Sequence, residues 1–543
     1  MRKLKLLLAS IMLGQAAFAG GIVTNLNQSA SYIRMLARDA STDVDAVFYN
    51  PAGLTKLQDG FYLQFNAQTI SQSRTITSSF PTLNNDTYEG NTFVPVFPTF
   101  YAAYKTGNWA FSAGLTVIGG GGSSTFDDGL PSFEMLYSTV PAALADLNQL
   151  GINVSGYSTD IEFKGSSAYI GGQASASYKI NENISVFAGA RYVSISNTYK
   201  GSISNVQLNV NGNMTPATEA FASFAGEFNQ LAALMTGGGD AMQPIIDGGA
   251  GDLTLDQLLG LGALSQAQYD QLTGGLDLIG VPNPGSLPAT QAQGAYYAAS
   301  NEFTQTGAQI SAFGNEMVDR EVDAKQTGSG VTPMIGANIT LADNRVNIGI
   351  KYEFKTKMDI TNETTIDETG EFPDGRVTAA DLPAFLSAGV DYQVSEAFKV
   401  SAGLHYFFDK TADYGKNGYD SEGNYLRGDN EDMIENNSFE IALGAEYYLN
   451  SDFALSAGYL YSSLSPTAAY QSDLSYANKT HSVGLGGIYH ITERLDLDFG
   501  LLTTFYDTYE KDFMSPVPYT ETYTKSNFVG SLGVTYRFGG SRR

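Results

Sequence analysis

Arg345-Val-Asn-Ile-Gly-Ile-Lys-Tyr-Glu-Phe-Lys355 alternates from end to end. Val346, Ile348, Ile350, Tyr352 and Phe354 share one face; Asn347, Gly349, Lys351, Glu353 and Lys355 share the other. Successive side chains leave a pleated strand on opposite sides, so period two over this length reads as a β-strand. Leu495, Leu497, Phe499, Leu501, Thr503 and Phe505 repeat the pattern against Asp496 and Asp498. Phe398, Val400, Ala402, Leu404, Tyr406 and Phe408 do so against Lys399, Ser401 and His405. A soluble sandwich also alternates. Segments of ~10 residues with Lys, Glu and Asp at mid-strand fit a different setting, lipid outside and a wet lumen inside.

Fourteen such segments lie near 61–70, 97–106, 108–118, 166–180, 184–199, 328–341, 345–358, 384–394, 397–409, 438–449, 452–464, 480–491, 494–507 and 525–538. An even number closes a single-chain barrel with no free edge. Tight turns at Thr106-Gly-Asn, Asn181-Glu-Asn, Ala342-Asp-Asn, Ser395-Glu, Asn450-Ser and Thr492-Glu alternate with long connections, near 71–96, 119–165, 200–327, 359–383, 410–437, 465–479 and 508–524. Short turns at one end and long loops at the other is the outer-membrane pattern. The lone Trp109 beside the first tight turn fits an interfacial aromatic.

Composition agrees. Only 16% of residues are charged, while the chain holds 33 Tyr, 31 Phe and 59 Gly. A net charge of −26 argues against a nucleic-acid partner, which needs a basic footprint. No cysteine is present, so no disulfide or thiolate chemistry is expected. Arg2, Lys3 and Lys5, the apolar run Leu6 to Leu13 and Ala17-Phe18-Ala19 read as a secretory leader over 1–19, cleaved near Ala19. No later run approaches ~18 apolar residues, so helical spans are not expected.

Between leader and first strand, Asp45-Ala-Val-Phe-Tyr-Asn-Pro-Ala-Gly-Leu54 does not read as a strand. Asn50-Pro51 removes a backbone donor and forces a turn, with Val47, Phe48, Ala52 and Leu54 set to pack around it. Ser29 to Arg38 reads as a short helix ahead of it. The expected fold is therefore an all-β membrane protein. It is a 14-stranded antiparallel transmembrane β-barrel over 61–538 with an N-terminal plug, or hatch, over 20–60. A large extracellular loop over 200–327 carries helices, and 539–543 is a tail. In that loop Phe221, Phe224, Phe228, Leu231 and Met235 recur at helical spacing behind Thr215, a cap candidate. Leu255, Leu258, Leu259 and Leu264, then Phe303, Ile310, Phe313 and Met317, mark two further helices.

Chemistry-bearing motifs are scarce. His405, His481 and His490 show no metal spacing, and no P-loop or dinucleotide fingerprint occurs, so neither an enzyme nor a cofactor is indicated. Gly119-Gly-Gly-Gly122 cannot hold a straight, packed strand and reads as a kink, a bulge or the start of a loop.

Leader, Asn50-Pro51-Ala52, strand order and the large third loop together resemble the FadL/TodX-type outer-membrane channels for hydrophobic compounds. Asn50-Pro51-Ala52 is similar to that family's hatch motif, and Leu382-Pro-Ala-Phe-Leu-Ser-Ala-Gly-Val-Asp-Tyr392 to its Leu-Pro strand entry. The resemblance implies a monomer in the bacterial outer membrane, in contact with its lipid and lipopolysaccharide. A fatty-acid-like or aromatic ligand would be caught among the loops and diffuse passively through an apolar site. It would leave sideways at a third-strand kink, where Gly119, Gly120, Gly121 and Gly122 lie, with Asn50, Pro51 and Ala52 in the hatch. It assigns no ligand-pocket residue. A general porin, a barrel enzyme acting on lipid and a surface adhesin are the alternatives that the strand pattern leaves open.

Overall fold

The computed structural model describes residues 25–414, 416–419, 425–428 and 433–539. The leader read at 1–19 and the tail beyond residue 539 lie outside the described residues. The chain forms two compact units, one of residues 137–160 and 204–319 and the other of 25–136, 161–203 and 320–539.

Fourteen strands, in the larger unit except for the ends of the fourth and fifth, form a ring. They are β1 (Gly60–Ser78), β2 (Thr87–Thr106), β3 (Trp109–Phe126), β4 (Val154–Lys179), β5 (Ile184–Val210), β6 (Arg320–Leu341) and β7 (Val346–Glu353). There follow β8 (Phe385–Ser395), β9 (Phe398–Phe407), β10 (Phe439–Tyr448), β11 (Phe453–Ser463), β12 (Thr480–Thr492), β13 (Leu495–Tyr506) and β14 (Tyr519–Phe538). Neighbours in sequence pair antiparallel. Ser166–Thr198 and Ser167–Asn197 hydrogen bonds join β4 to β5. β1 meets β14 from Phe61↔Phe538 to Ser78↔Glu521, which closes the barrel. Among the described residues no helix is long and apolar enough to cross a membrane.

The barrel is inside out. On β7 Lys351 and Glu353 are buried, while Ile350 and, just past the strand, Phe354 are more than 40% exposed. On β10, Ile441, Leu443 and Tyr447 face outward and Ala442 and Glu446 inward. Such an outer face needs lipid. Trp109, exposed next to the 107–108 turn, contacts Tyr178 at 4.7 Å and Phe111 at 5.9 Å; exposed Tyr392, Tyr489 and Tyr536 also lie toward the tight-turn ends.

Several strands run further than their alternation indicates. β1 reaches Ser78, β3 reaches Phe126, β5 reaches Val210 and β6 starts at Arg320, so the large loop spans 211–319 rather than 200–327. These extensions are rich in Ser, Thr, Asn and Gly. A strand that leaves lipid keeps its ladder but no longer needs large apolar groups on one face, so the period fades while the pairing persists.

Residues 25–57 form the hatch. Ser29 caps a helix, α1 (Ala30–Met35), its side chain accepting from the Tyr32 N–H, and Leu36 ends it in the left-handed region at φ 60°. α2 (Ala46–Tyr49) runs into a 3₁₀ turn, Pro51–Lys56, that begins at the proline, whose fixed φ suits a first helical position. Val47, Phe48, Ala52 and Leu54 are all buried.

The smaller unit is mostly helical. Its long helices α3 (Ala217–Ile245) and α4 (Ala289–Gly314) meet through Phe221–Phe313 at 5.3 Å and Phe228–Phe303 at 6.0 Å. Thr215 does not cap α3. Pro216 holds that position, and Thr215 pairs with Leu208 in a short strand. Two shorter helices, Leu255–Gly260 and Gln266–Leu278, start at capping boxes on Thr254 and Ser265.

Candidate functional site

The hatch fills the bore because the barrel wall makes room for it in glycine. Gly349, Gly389 and Gly403 are cross-strand partners on β7, β8 and β9, and a side chain on any of them would strike Asp39 within 3 Å. Gly444, Gly458 and Gly484 form the next row on β10, β11 and β12. A Cβ at Gly458 would sit 2.0 Å from the Met35 carbonyl oxygen, and one at Gly484 2.2 Å from that of Ile33. Backbone lies on backbone there, so only glycine fits.

Polar bonds fix the hatch in this bed. The Asn50 side-chain amide donates to the Ala337 carbonyl at 3.1 Å. The Pro51 carbonyl accepts from Ser177 at 2.7 Å and the Ala52 carbonyl from Ser185 at 2.9 Å. The three motif residues therefore lie against β4, β5 and β6. Lys351 donates to the Phe48 carbonyl at 2.9 Å and Asn347 to the Ala40 carbonyl at 2.7 Å.

Charged pairs add to this. Arg34 of α1 contacts Glu446, and Asp498 at 3.1 Å. His405, expected in the lumen, is indeed buried between Asp39 of the hatch at 2.9 Å and Glu440 at 2.8 Å. Within the hatch, Arg38 bonds both oxygens of Asp45 and one of Asp43. Burial works against the Arg38 charge, but the Asp45 and Asp43 carboxylates overcome it, and its pKa lies above the ordinary arginine value. Arg34, Arg38 and Asp39 are site residues that strand and turn patterns did not single out. The one available signal was the pair of arginines four apart on a short segment expected to be buried. Among the described residues no group of three or more His, Asp and Glu could hold a metal ion.

The second element of the site is a break in the wall. Pairs between β2 and β3 run from Thr106↔Trp109 to Phe100↔Leu115, lapse, and resume only at Asn91↔Thr125 and Gly90↔Phe126. Gly119 to Gly122 lie opposite the lapse, inside β3, not at the start of a loop. On their other side the β3–β4 register slips twice, between Val117 and Gly119 and between Gly120 and Gly122. Gly120 adopts φ +62°, and a side chain there would meet the Ser167 carbonyl at 2.4 Å. At Gly122 a Cβ would meet the Thr92 methyl at 2.6 Å, so the gap is bridged by small side chains rather than by backbone hydrogen bonds. Pro95 and Pro98 on β2 belong to the same lapse; proline tolerates a strand where one side behaves as an edge. The hatch reaches this point. Asn25 N–H donates to the Ile118 carbonyl at 2.8 Å and the Gln28 side chain to Val117 at 2.7 Å.

A cavity of about 670 Å³ joins the two elements. Leu26, Asn27 and Tyr32 of the hatch line it, as do Thr92, Val94, Gly120 and Gly122 of the break. This volume lies in the range of small-molecule sites.

No family model and no curated protein matches the sequence. Among solved structures, the chain is similar to a Pseudomonas aeruginosa FadL homologue, at 15% identity over 96% of this chain and 100% of that one, with a TM-score of 0.56. It is also similar to the deltaS2S3 mutant of the TodX monoaromatic hydrocarbon channel, at 15% identity over 94% and 99%, with a TM-score of 0.50. What is shared is the fold, a closed 14-stranded barrel.

Proposed function

We propose that this chain is an integral outer-membrane channel, not an enzyme, that admits small hydrophobic molecules by passive diffusion. Ligand enters the cavity above the hatch and leaves sideways between β2 and β3. The observation that carries this reading is the cavity itself, whose lining runs from hatch residues to the glycine-rich break in the wall. The fold shared with a FadL homologue and with TodX, itself a monoaromatic hydrocarbon channel, supports it. A hydrophobic molecule gains by staying out of water, roughly 0.8 kcal/mol per CH₂, so a plugged bore with a side exit serves it better than an aqueous pore.

The test uses the absence of native cysteine. Thr92→Cys with Gly122→Cys sets two thiols facing each other across the break, since a Cβ at Gly122 would fall 2.6 Å from the Thr92 methyl. Uptake of a fluorescent apolar probe into proteoliposomes should fall when the pair is oxidised and recover on reduction. Equal uptake in both states, with the crosslink verified, refutes the side exit. A wide, ohmic wild-type conductance in planar bilayers would favour a porin.

A further inference from the structure

We propose that the roof of the cavity is a pH-sensitive gate, latched while Glu521 keeps its proton and loosened when Glu521 ionises. This goes beyond the channel reading and uses it in one respect, that the roof lies on the way in. Two connections at the long-loop end of the barrel form the roof. Phe133, at the start of the helix Pro131–Ser138, lines the cavity, as do Ser472, Leu474 and Ser475 of the connection after β11. Phe133 and Leu474 pack against a cluster that holds Ile76, Phe126 and Tyr523 of the wall. Polar bonds fasten the connections to each other and to β14. Asp473 accepts from the Ser132 N–H at 2.8 Å, and the Tyr476 hydroxyl donates to the Thr524 carbonyl at 2.7 Å. The Tyr519 hydroxyl donates to the Met135 sulfur at 3.6 Å.

Glu521 of β14 is buried at this joint, 3% exposed, and Asp473 is 4% exposed. Phe528 is the last outward apolar residue of β14 on this side, so Glu521 stands outside the lipid-facing part of the strand. Its side chain bonds the Tyr523 hydroxyl at 2.5 Å and forms no ion pair among the described residues. Lys511, its cross-strand partner on the strand Tyr509–Phe513, turns its ammonium to the Gln471 carbonyl at 2.6 Å instead. Asp473 is better placed to hold a charge. Burial raises it, but the Ser132 and Leu474 N–H groups and the Arg74 guanidinium favour its carboxylate form. The negative charge therefore settles on Asp473 and opposes a second one on Glu521. Burial first, and Asp473 next, push Glu521 up to about 7, against the Tyr523 hydroxyl and Lys511. Tyr519 and Tyr523 stay neutral in this range. Glu134 of the helix is turned away, to the Tyr88 hydroxyl and the Asn84 N–H.

Lifting the roof lets water reach Glu521 and returns it toward its ordinary value of 4.5. The closed roof therefore holds its full advantage below that value, loses it progressively as pH rises, and has lost it all above about 7. Between pH 5 and pH 8 the ratio of open to closed roof should rise by about 10- to 100-fold.

The chain has no native cysteine, so spin labels on Glu89→Cys and Ala469→Cys, both exposed, report the distance between β2 and the roof. In vesicles the pair should show one narrow distance at pH 5 and a growing second population toward pH 8. Glu521→Gln should keep the narrow distance at both. If that variant fails to fold, Asp473→Asn should lose most of the pH response, because it removes the charge that opposes ionisation of Glu521. A wild-type distance that ignores pH, or a Glu521→Gln chain that responds as the wild type does, overturns the gate. Uptake of a neutral apolar dye should rise with pH in the wild type and not in Glu521→Gln. A roof that moves while uptake stays constant keeps the latch and overturns the channel reading beneath it.

Discussion

Replacing Arg34 by methionine should loosen the hatch while the barrel stays folded. Arg34 sits on α1 and reaches two carboxylates of the wall, Glu446 and Asp498, all three groups being 2–3% exposed. The two carboxylates are not equally dependent on it. Glu446 keeps Lys399 at 2.9 Å and the Tyr448 hydroxyl at 2.7 Å. Asp498 keeps only the Ser31 hydroxyl at 2.8 Å. The loss therefore falls mainly on Asp498, a buried charge left without a counter-charge, at a cost of about 3–5 kcal/mol. That cost applies only while the hatch is docked, because an undocked hatch lets water reach the lumen. The docked fraction should fall by a factor of about 10² to 10⁴ relative to the undocked one. Hydrogen exchange of residues 30–36 in detergent reads this directly, with planar-bilayer conductance as a second readout and heat-modifiable gel mobility as the check on the barrel. The companion variant, Arg34→Met with Asp498→Asn, leaves Glu446 to Lys399 and removes the orphan charge, so protection should largely return. Wild-type exchange rates in Arg34→Met, or a double variant as loose as the single one, would refute the reasoning.

Gly458→Val should displace the hatch as well, by sterics, since its Cβ would fall 2.0 Å from the Met35 carbonyl, whereas Gly530→Ala should be silent because its nearest neighbour is 3.8 Å away; single-channel recordings compare the two. Leu443→Lys puts a charge on an outward position that is 53% exposed and should cost the barrel about 2–4 kcal/mol in urea unfolding from vesicles. Phe221→Ala removes a ring buried against Phe224 and Phe313 and should destabilise the helical unit by about 3–5 kcal/mol, seen as lost helical circular dichroism with the β signal unchanged.

Strand existence was legible because lipid imposes a rule that acts on every second residue: Ile350 must be apolar and Lys351 need not be. Strand ends were illegible where that rule stops, as in Ser71–Ser78 or Lys200–Val210. The hatch announced itself through Asn50-Pro51, a local signal. What receives it did not, because the contacts are between residues hundreds apart. Gly349, Gly389, Gly403, Gly444 and Gly458 look like weak strand residues in sequence, and only the register shows them as two rows fitted to Asp39 and Met35. The wall break gave half its signature in Gly119 to Gly122. The other half is Pro95 and Pro98: Pro95 falls in the segment read as a loop, where a proline carries no surprise, and Pro98 at the start of the strand read at 97–106, where a proline is tolerated; the two become informative together only once β2 is seen to run through both.

The same logic explains how the charges inside the barrel are matched. A barrel with lipid outside must collect its polar residues within, and each charge there needs a partner or water. The chain meets this by bringing charges from far apart in sequence together: Arg191 with Glu353, His405 with Asp39 and Glu440, Arg537 with Asp496. Sequence spacing cannot reveal such pairs, since 366 residues separate His405 from Asp39.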